Sequence, residues 1–269
     1  PSPSEARHHR PIADEAADAD RESSGGCPVL VVIVNYKSAS LTVDCLASLE
    51  EEMASIPGAR VALVENASGE GEELARVLDE RGWRGWVELI EADRNGGFAS
   101  GNNRAIEPAL ASDDPPRYVL LLNPDTYIHP GAVRELLAFM EAHPQAGIAG
   151  SRLENPDGSP QRSSFRFPTV LGELEGGLRL GLASRLLSRW IVAPPLPEGS
   201  EPTRAEWVSG ASLMVRREVF EAIGTLEESY FMYYEEVDFC RRAAKAGWSC
   251  WYVPRSRVVH LVGQSSGVI

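Results

Sequence analysis

The chain has 269 residues, 43% of them apolar and 24% charged, with a formal net charge of -13. That length can bury the core of one large α/β domain, and the proportions are ordinary for a soluble globular protein. So acidic a balance excludes general nucleic-acid binding, which needs a basic footprint, and an anionic substrate would need a metal or local arginines to hold it. The cysteines Cys27, Cys45, Cys240 and Cys250 form neither a CxxC pair nor a zinc-type cluster, so they read as buried thiols of a reducing compartment. No stretch approaches the ~20 apolar residues of a membrane span. The N-terminal segment lacks the apolar core of a secretory signal, so a cytoplasmic location is expected.

Residues 1–26 carry Pro, Ser, Gly and alternating charge with almost no large apolar side chain. Such a segment cannot bury enough surface to offset its ordering entropy and reads as a disordered tail. Val29-Leu30-Val31-Val32-Ile33-Val34 is a buried strand by length and β-branching. It ends in Asn35-Tyr36-Lys37-Ser38, and Leu41, Cys45, Leu46 and Leu49 mark a following helix. A second strand, Val61 to Val64, ends in Glu65-Asn66-Ala67-Ser68. A helix over about 70–81 is closed by Gly82, and a third strand covers Val87 to Ile90. The Gly/Asn-rich loop from Asn95 through Gly96, Gly97, Gly101 and Asn102 to Asn103 opens a short helix. Tyr118-Val119-Leu120-Leu121-Leu122 is an unbroken apolar run, as expected of a strand covered on both faces in a parallel sheet. Pro124 stops it at Asn123-Pro124-Asp125-Thr126. A helix starting at Pro130 and a short strand near Gly147–Gly150 follow. Strands and helices alternating at this spacing over about 28–150 describe a doubly wound α/β unit whose polar strand ends line one edge.

Asn155-Pro156-Asp157-Gly158-Ser159 marks a turn. Leu171, Leu174, Leu178, Leu182, Leu186 and Trp190 then recur at helical spacing beside Arg179, Arg185 and Arg189. This stripe is either a helix packed on the domain or an interfacial helix touching a membrane or lipid-linked substrate. Residues 193–205 read as a loop, Trp207 to Val215 as a turn into a strand, and Arg216 to Ile223 as a short helix closed by Gly224. An aromatic run, Tyr230 to Tyr234, leads into Glu235-Glu236-Val237-Asp238 and a helix to about 246, followed by a strand from Trp248 to Val253.

Carboxylates opening a helix have a structural explanation in the helix dipole. Beside four aromatics they also suit a partly dry pocket edge, where one carboxyl can act as a general base. Asp125 alone could be a turn residue. His260 could be a satisfied structural histidine or a metal ligand. Gly96-Gly97 allows close approach of the backbone to a ligand, but there is no GxGxxG and no P-loop.

In combination these stretches resemble the family 2 glycosyltransferases, and within them the rhamnosyltransferase-like branch. The matching segments are Val32 to Tyr36, Val64 to Ser68, Asn95 to Asn103, Leu121 to Thr126, Trp207 to Ala211, Phe231 to Arg242 and His260 to Ser265. The resemblance implies the GT-A fold, an α/β architecture with a Rossmann-like doubly wound mixed β-sheet flanked by helices and a C-terminal acceptor-side region. Residues 27–150 would form the nucleotide-sugar-binding half, and 151–269 the acceptor-binding and catalytic half of the same domain.

It further implies that Asp125, in a DxD-type motif, ligates Mg²⁺ or Mn²⁺ and that His260 completes the metal shell. Asn35, Tyr36, Glu65, Asn66, Asn95, Gly96, Gly97, Asn102, Asn123 and Arg241 would serve the nucleotide donor, with Glu65 in the place of the usual base-reading Asp. Glu236 would be the catalytic base with Glu235 beside it, and Trp207, Gly210, Tyr234 and Asp238 would face the acceptor. The expected reaction is an inverting, metal-dependent transfer from a nucleotide diphosphate sugar to a saccharide or lipid-linked glycan. The best-matching donor is dTDP-rhamnose, with UDP-sugars as the alternative. Peripheral contact with the inner face of the cell membrane would run through 171–190. A sugar nucleotidyltransferase could also use Asp125 but would not need the aromatic-flanked carboxylates. A silent sugar- or nucleotide-binding protein would have lost them.

Overall fold

The computed structural model describes residues 26–168, 196 and 199–261. The N-terminal tail before Gly26, the apolar stripe at 171–190 and the Gly/Ser-rich stretch after Leu261 lie outside the described residues.

The first part of the chain alternates β1 (Val29–Asn35), α1 (Ala39–Ser55), β2 (Arg60–Glu65), α2 (Gly71–Glu80), β3 (Val87–Glu91), α3 (Gly97–Leu110) and β4 (Tyr118–Leu122). The β-branched run of β1 shows why a near-continuous apolar strand is needed. Val29, Val31 and Ile33 join one core cluster with Leu46, Leu49, Leu74 and Leu78 of α1 and α2. Leu30, Val32 and Val34 join a second cluster, on the other face, with Ala99 and Ile106 of α3. Side chains alternate along a strand, so helices on both faces require apolar residues at every position.

The chain continues through β5 (Thr126–Ile128), α4 (Ala132–Ala142), β6 (Ala146–Glu154), β7 (Ser164–Phe165), β8 (Thr203–Ala205), β9 (Trp207–Val208), β10 (Ser212–Arg216), α5 (Arg217–Ile223), α6 (Glu235–Lys245) and β11 (Ser249–His260). One nine-stranded sheet runs in the order β3-β2-β1-β4-β10-β6-β11-β5, with β8 also paired to β11. β4 is parallel to β1 and antiparallel to β10. Its unbroken apolar run therefore reflects cover on both faces and not a purely parallel sheet.

Several boundaries differ from the sequence reading. The helix expected from Pro130 begins at Ala132, after Gly131 at φ 87°. The buried Glu52 of α1 caps it, accepting from the backbone N–H of Val133 at 3.0 Å. β6 extends beyond Gly150 through Ser151 to Glu154, where polar residues hide a strand. β11 continues beyond Val253 past Pro254, with a shift of register between Val253 and Arg257. Such a bulge is where a sheet accommodates proline. Part of the loop expected at 193–205 forms β8.

Candidate active site

β1, β2 and β3 progress outward, and β4 returns on the opposite side of β1. The strand order thus reverses between β1 and β4, and ligands bind beyond the carboxyl ends of strands at such a point. A cavity of about 430 Å³ lies there. Tyr36 follows β1, Asn66 follows β2, Asn123 and Asp125 follow β4, and all four line it. Glu235 and Glu236 at the start of α6 and His260 at the end of β11 complete the chemistry-bearing wall.

The local backbone explains how these groups converge. Lys37 and Ala67, just past the first two strands, are left-handed at φ 54° and 58°. Tyr233 and Tyr234 repeat this at φ 70° and 71° immediately before the glutamates. Non-glycine residues hold such angles only where surroundings impose them. Gly97 is left-handed at φ 83°, and a Cβ there would lie 1.9 Å from the Phe231 carbonyl oxygen. That oxygen accepts the Phe98 N–H at 3.0 Å, fastening the start of α3 to the aromatic loop. His260 pairs with Thr126 across β11 and β5. This register sets its Nε2 3.5 Å from Asp125 Oδ1.

The cavity is acidic. Among the described residues its lining includes Asp125, Glu235, Glu236 and His260 but no lysine or arginine. Burial pushes the Glu235 carboxyl up to about 7, with the neighbouring Glu236 charge adding to the push. Burial also raises Glu236, opposed by the backbone N–H groups of Glu236 and Val237 at the helix start. Oε2 of each glutamate finds no hydrogen-bond partner among the described residues. Glu235 is fully buried whereas Glu236 is partly accessible. Two carboxyls whose environments separate their protonation can hold one proton and one charge at neutral pH.

No group of three or more His, Cys, Asp or Glu side chains forms a metal cage among the described residues. Asp125 and the His260 ring nitrogen are the available pair. That donor set fits a hard divalent ion held by one carboxylate with the remaining positions filled by substrate phosphates and water. It does not fit a self-sufficient protein site.

Among the other residues singled out by sequence, Asn95, Gly97 and Gly210 also line the cavity. Asn66 donates to Asn95 Oδ1 at 3.0 Å and to the Gly97 carbonyl at 3.2 Å. Asn35, Glu65, Gly96, Asn102, Trp207, Tyr234, Asp238 and Arg241 are not in the lining. Asn35 is buried and ties β1 to the next loop, donating to Glu70 Oε2 at 2.8 Å and accepting from Thr42 Oγ1 at 2.8 Å. Glu65 folds back to accept from both the N–H and the hydroxyl of Ser68. Asn102, inside α3, donates back to the Phe98 carbonyl one turn earlier at 2.9 Å. Trp207 stacks on Phe165 with ring centroids 4.1 Å apart. Asp238 pairs with Arg242 at 2.7 Å. Arg241 lies over the Phe167 ring, and Tyr234 is exposed.

Sequence reasoning missed Glu70 and Gln161. Burial pushes the Glu70 carboxyl up, but hydrogen bonds from Asn35, Ala39, Ser68 and Ser38 outweigh this and hold it below its usual value. Gln161 contacts His260 through its side-chain amide. Neither residue belongs to a motif, and only the folded loops bring them to these positions.

The family described as Glycosyltransferase like family 2 matches residues 27–268. N-acetylglucosaminyl-diphospho-decaprenol L-rhamnosyltransferase of Mycobacterium tuberculosis is 32% identical over 245 residues, covering 88% of this chain and 77% of that protein. Among solved structures, GalNAc-T7 with UDP, GalNAc and Mn²⁺ superposes with a TM-score of 0.63 at 18% identity, over 89% of this chain and 44% of that one. The mannosyltransferase PcManGT from Pyrobaculum calidifontis, in complex with GDP-Man and Mn²⁺, gives 0.58 at 15% identity, over 94% and 65%. The chain thus spans less than two thirds of either solved protein, and the likeness it shares with them is the GT-A fold.

Proposed function

The chain belongs to the family 2 glycosyltransferases, and from that premise we propose that it transfers rhamnose from dTDP-rhamnose, with inversion, to a hydroxyl of a lipid-linked glycan. The rhamnose donor and the diphospho-lipid acceptor are suggested by the activity named for the mycobacterial relative. Metal dependence is supported by one observation above others: among the described residues the cavity wall holds carboxylates and no lysine or arginine. A nucleotide diphosphate would meet repulsion there unless a cation accompanied it. Asp125 and His260 are the residues to hold Mg²⁺ or Mn²⁺, which when bound offsets charge growing on the departing diphosphate.

The chain's own groups then divide the work. Tyr36 and Asn66, beyond β1 and β2, line the cavity, and in this reading they serve the nucleoside. Glu236, which lines the cavity at the start of α6, takes the proton of the acceptor hydroxyl as that oxygen attacks the anomeric carbon. The glycosidic carbon–oxygen bond to the diphosphate breaks as the new one forms, and attack from the opposite face inverts the centre. Glu235, raised to about 7, holds a proton through much of the neutral range. Its protonation keeps a second full charge from Glu236.

A thermal-shift screen of nucleotide sugars with and without Mn²⁺ tests the donor assignment. dTDP-rhamnose should raise the melting temperature, and only when Mn²⁺ is present. Stabilisation by UDP-sugars alone would reassign the donor, and stabilisation indifferent to Mn²⁺ would remove the metal from the reading.

A further inference from the structure

His260 has two neighbours that constrain its ring from opposite sides. Its Nδ1 lies 3.3 Å from Gln161 Oε1, and its Nε2 lies 3.3 Å from Asn123 Nδ2. The orientation of the Gln161 amide is fixed independently of the ring. Gln161 Nε2 donates to the backbone carbonyl of His260 at 2.6 Å, to Asn155 Oδ1 at 2.9 Å and to the Glu154 carbonyl at 3.2 Å. All three are acceptors, so the NH₂ end, with two hydrogens to share among them, faces that side and the oxygen end faces the imidazole. An amide oxygen accepts and never donates. His260 Nδ1 must therefore carry the hydrogen, which leaves the lone pair on Nε2 in the neutral ring.

The opposite neighbour agrees. Asn123 Nδ2 is a donor, so a hydrogen on Nε2 would face a second donor; the one lone pair there serves Asn123 and would turn from it to a bound ion. Asp125 Oδ1 stands 3.5 Å from the same nitrogen.

We propose that Gln161 is the positioning residue of the metal site, holding His260 in the Nδ1–H tautomer so that Nε2 presents its lone pair beside Asp125. This rests on the metal-dependent reading of the same cavity. Metal-ligating histidines commonly donate their other N–H to such a partner, and loss of that partner typically lowers affinity by about 10–100-fold. The hairpin that carries Gln161 is built for the task. Glu154 and Pro160 form a bridge, and the Gln161 N–H donates to the Leu153 carbonyl at 2.8 Å. The turn Asn155 to Ser159 thus returns the chain to the end of β6, beside β11 and His260.

Two readouts on the full chain test this. Long-range ¹H–¹⁵N correlation spectra of the imidazole nitrogens, assigned with His260→Ala, report the tautomer without any metal. Mn²⁺ binding in the presence of dTDP, followed by loss of the free-ion electron paramagnetic resonance signal, reports affinity. The wild type should show protonated Nδ1 and bare Nε2 at His260. Gln161→Leu should lose that tautomer preference and weaken Mn²⁺ binding about tenfold or more. Gln161→Glu keeps an acceptor at Nδ1, so it should retain the tautomer and most of the affinity even though it removes the amide donors. A wild-type ring protonated at Nε2 overturns the proposal, as does a folded Gln161→Leu variant with unchanged tautomer and affinity. Equal losses in Gln161→Leu and Gln161→Glu overturn it too, because they would show a merely structural role. A wild type with the expected tautomer but no Mn²⁺ binding would instead sink the metal-dependent reading and leave the tautomer assignment intact.

Discussion

Glu235 and Glu236 are adjacent in sequence yet differ in surroundings. Burial and the Glu236 charge raise the Glu235 carboxyl from 4.5 to about 7. The folded state therefore prefers Glu235 protonated. Its contribution is fully present below pH ~4.5 and is lost as pH rises through about 7. Glu235→Gln should leave stability unchanged near pH 4 and raise it at pH 8 by up to about 3 kcal/mol, the worth of that shift. Urea unfolding of metal-free protein at the two values checks the sign; a variant equally stabilised at both would contradict the burial argument. At Asp125, replacement by Ala should abolish the Mn²⁺ dependence of nucleotide binding, measured by calorimetric titration of dTDP with and without the ion. An unchanged titration would exclude Asp125 from the metal's surroundings. The identity of these acids was legible in the sequence, because carboxylates beside an aromatic run and at a strand end are unusual. The inward turn of Asn35 and Glu65 was not, since nothing in the spacing shows that Glu70 and Ser68 supply their partners.

At the scale of elements, the site depends on the junction between α3 and the loop before α6. Gly97 makes that junction possible by its positive φ and by the closeness of the Phe231 carbonyl. Gly97→Ala should destabilise the protein by about 3 kcal/mol, combining left-handed strain with overpacking against backbone. It should also displace Glu236, so activity should fall even where the variant is folded. Chemical denaturation and a transfer assay below the melting temperature separate the two effects; a variant of wild-type stability would refute the packing argument. The helices and strands of the first half were legible from periodicity, because β1 and β4 are near-continuous apolar runs, β2 and β3 keep apolar centres, and each helix follows a polar strand end. β5 was not, being a three-residue strand after a proline that pairs with β11 near the far end of the chain. That non-local pairing is what brings His260 to Asp125.

Across the whole molecule, the reversal of strand order between β1 and β4 opens the cavity, and strands from both halves of the chain enclose it in one sheet. The apolar strands and their polar ends made the fold class readable. The mixed sheet followed from the family resemblance and not from periodicity, because β6 and β11 interrupt their apolar pattern with serines, arginines and a proline. Among the described residues no helix is long and apolar enough to cross a membrane. In the loop before α6, Phe231, Tyr233 and Tyr234 are exposed, and Tyr233 lines the cavity. The reaction itself is tested most directly by following dTDP release from dTDP-rhamnose with Mn²⁺ and an N-acetylglucosaminyl-diphospho-lipid acceptor, in the wild type and in Glu236→Gln. Acceptor-dependent release with an inverted anomeric centre in the product is expected from the wild type. Glu236→Gln should bind dTDP-rhamnose normally but turn over about 10²–10⁴-fold more slowly, as loss of a general base requires. Near-normal turnover by Glu236→Gln would contradict the assignment of Glu236 as the base.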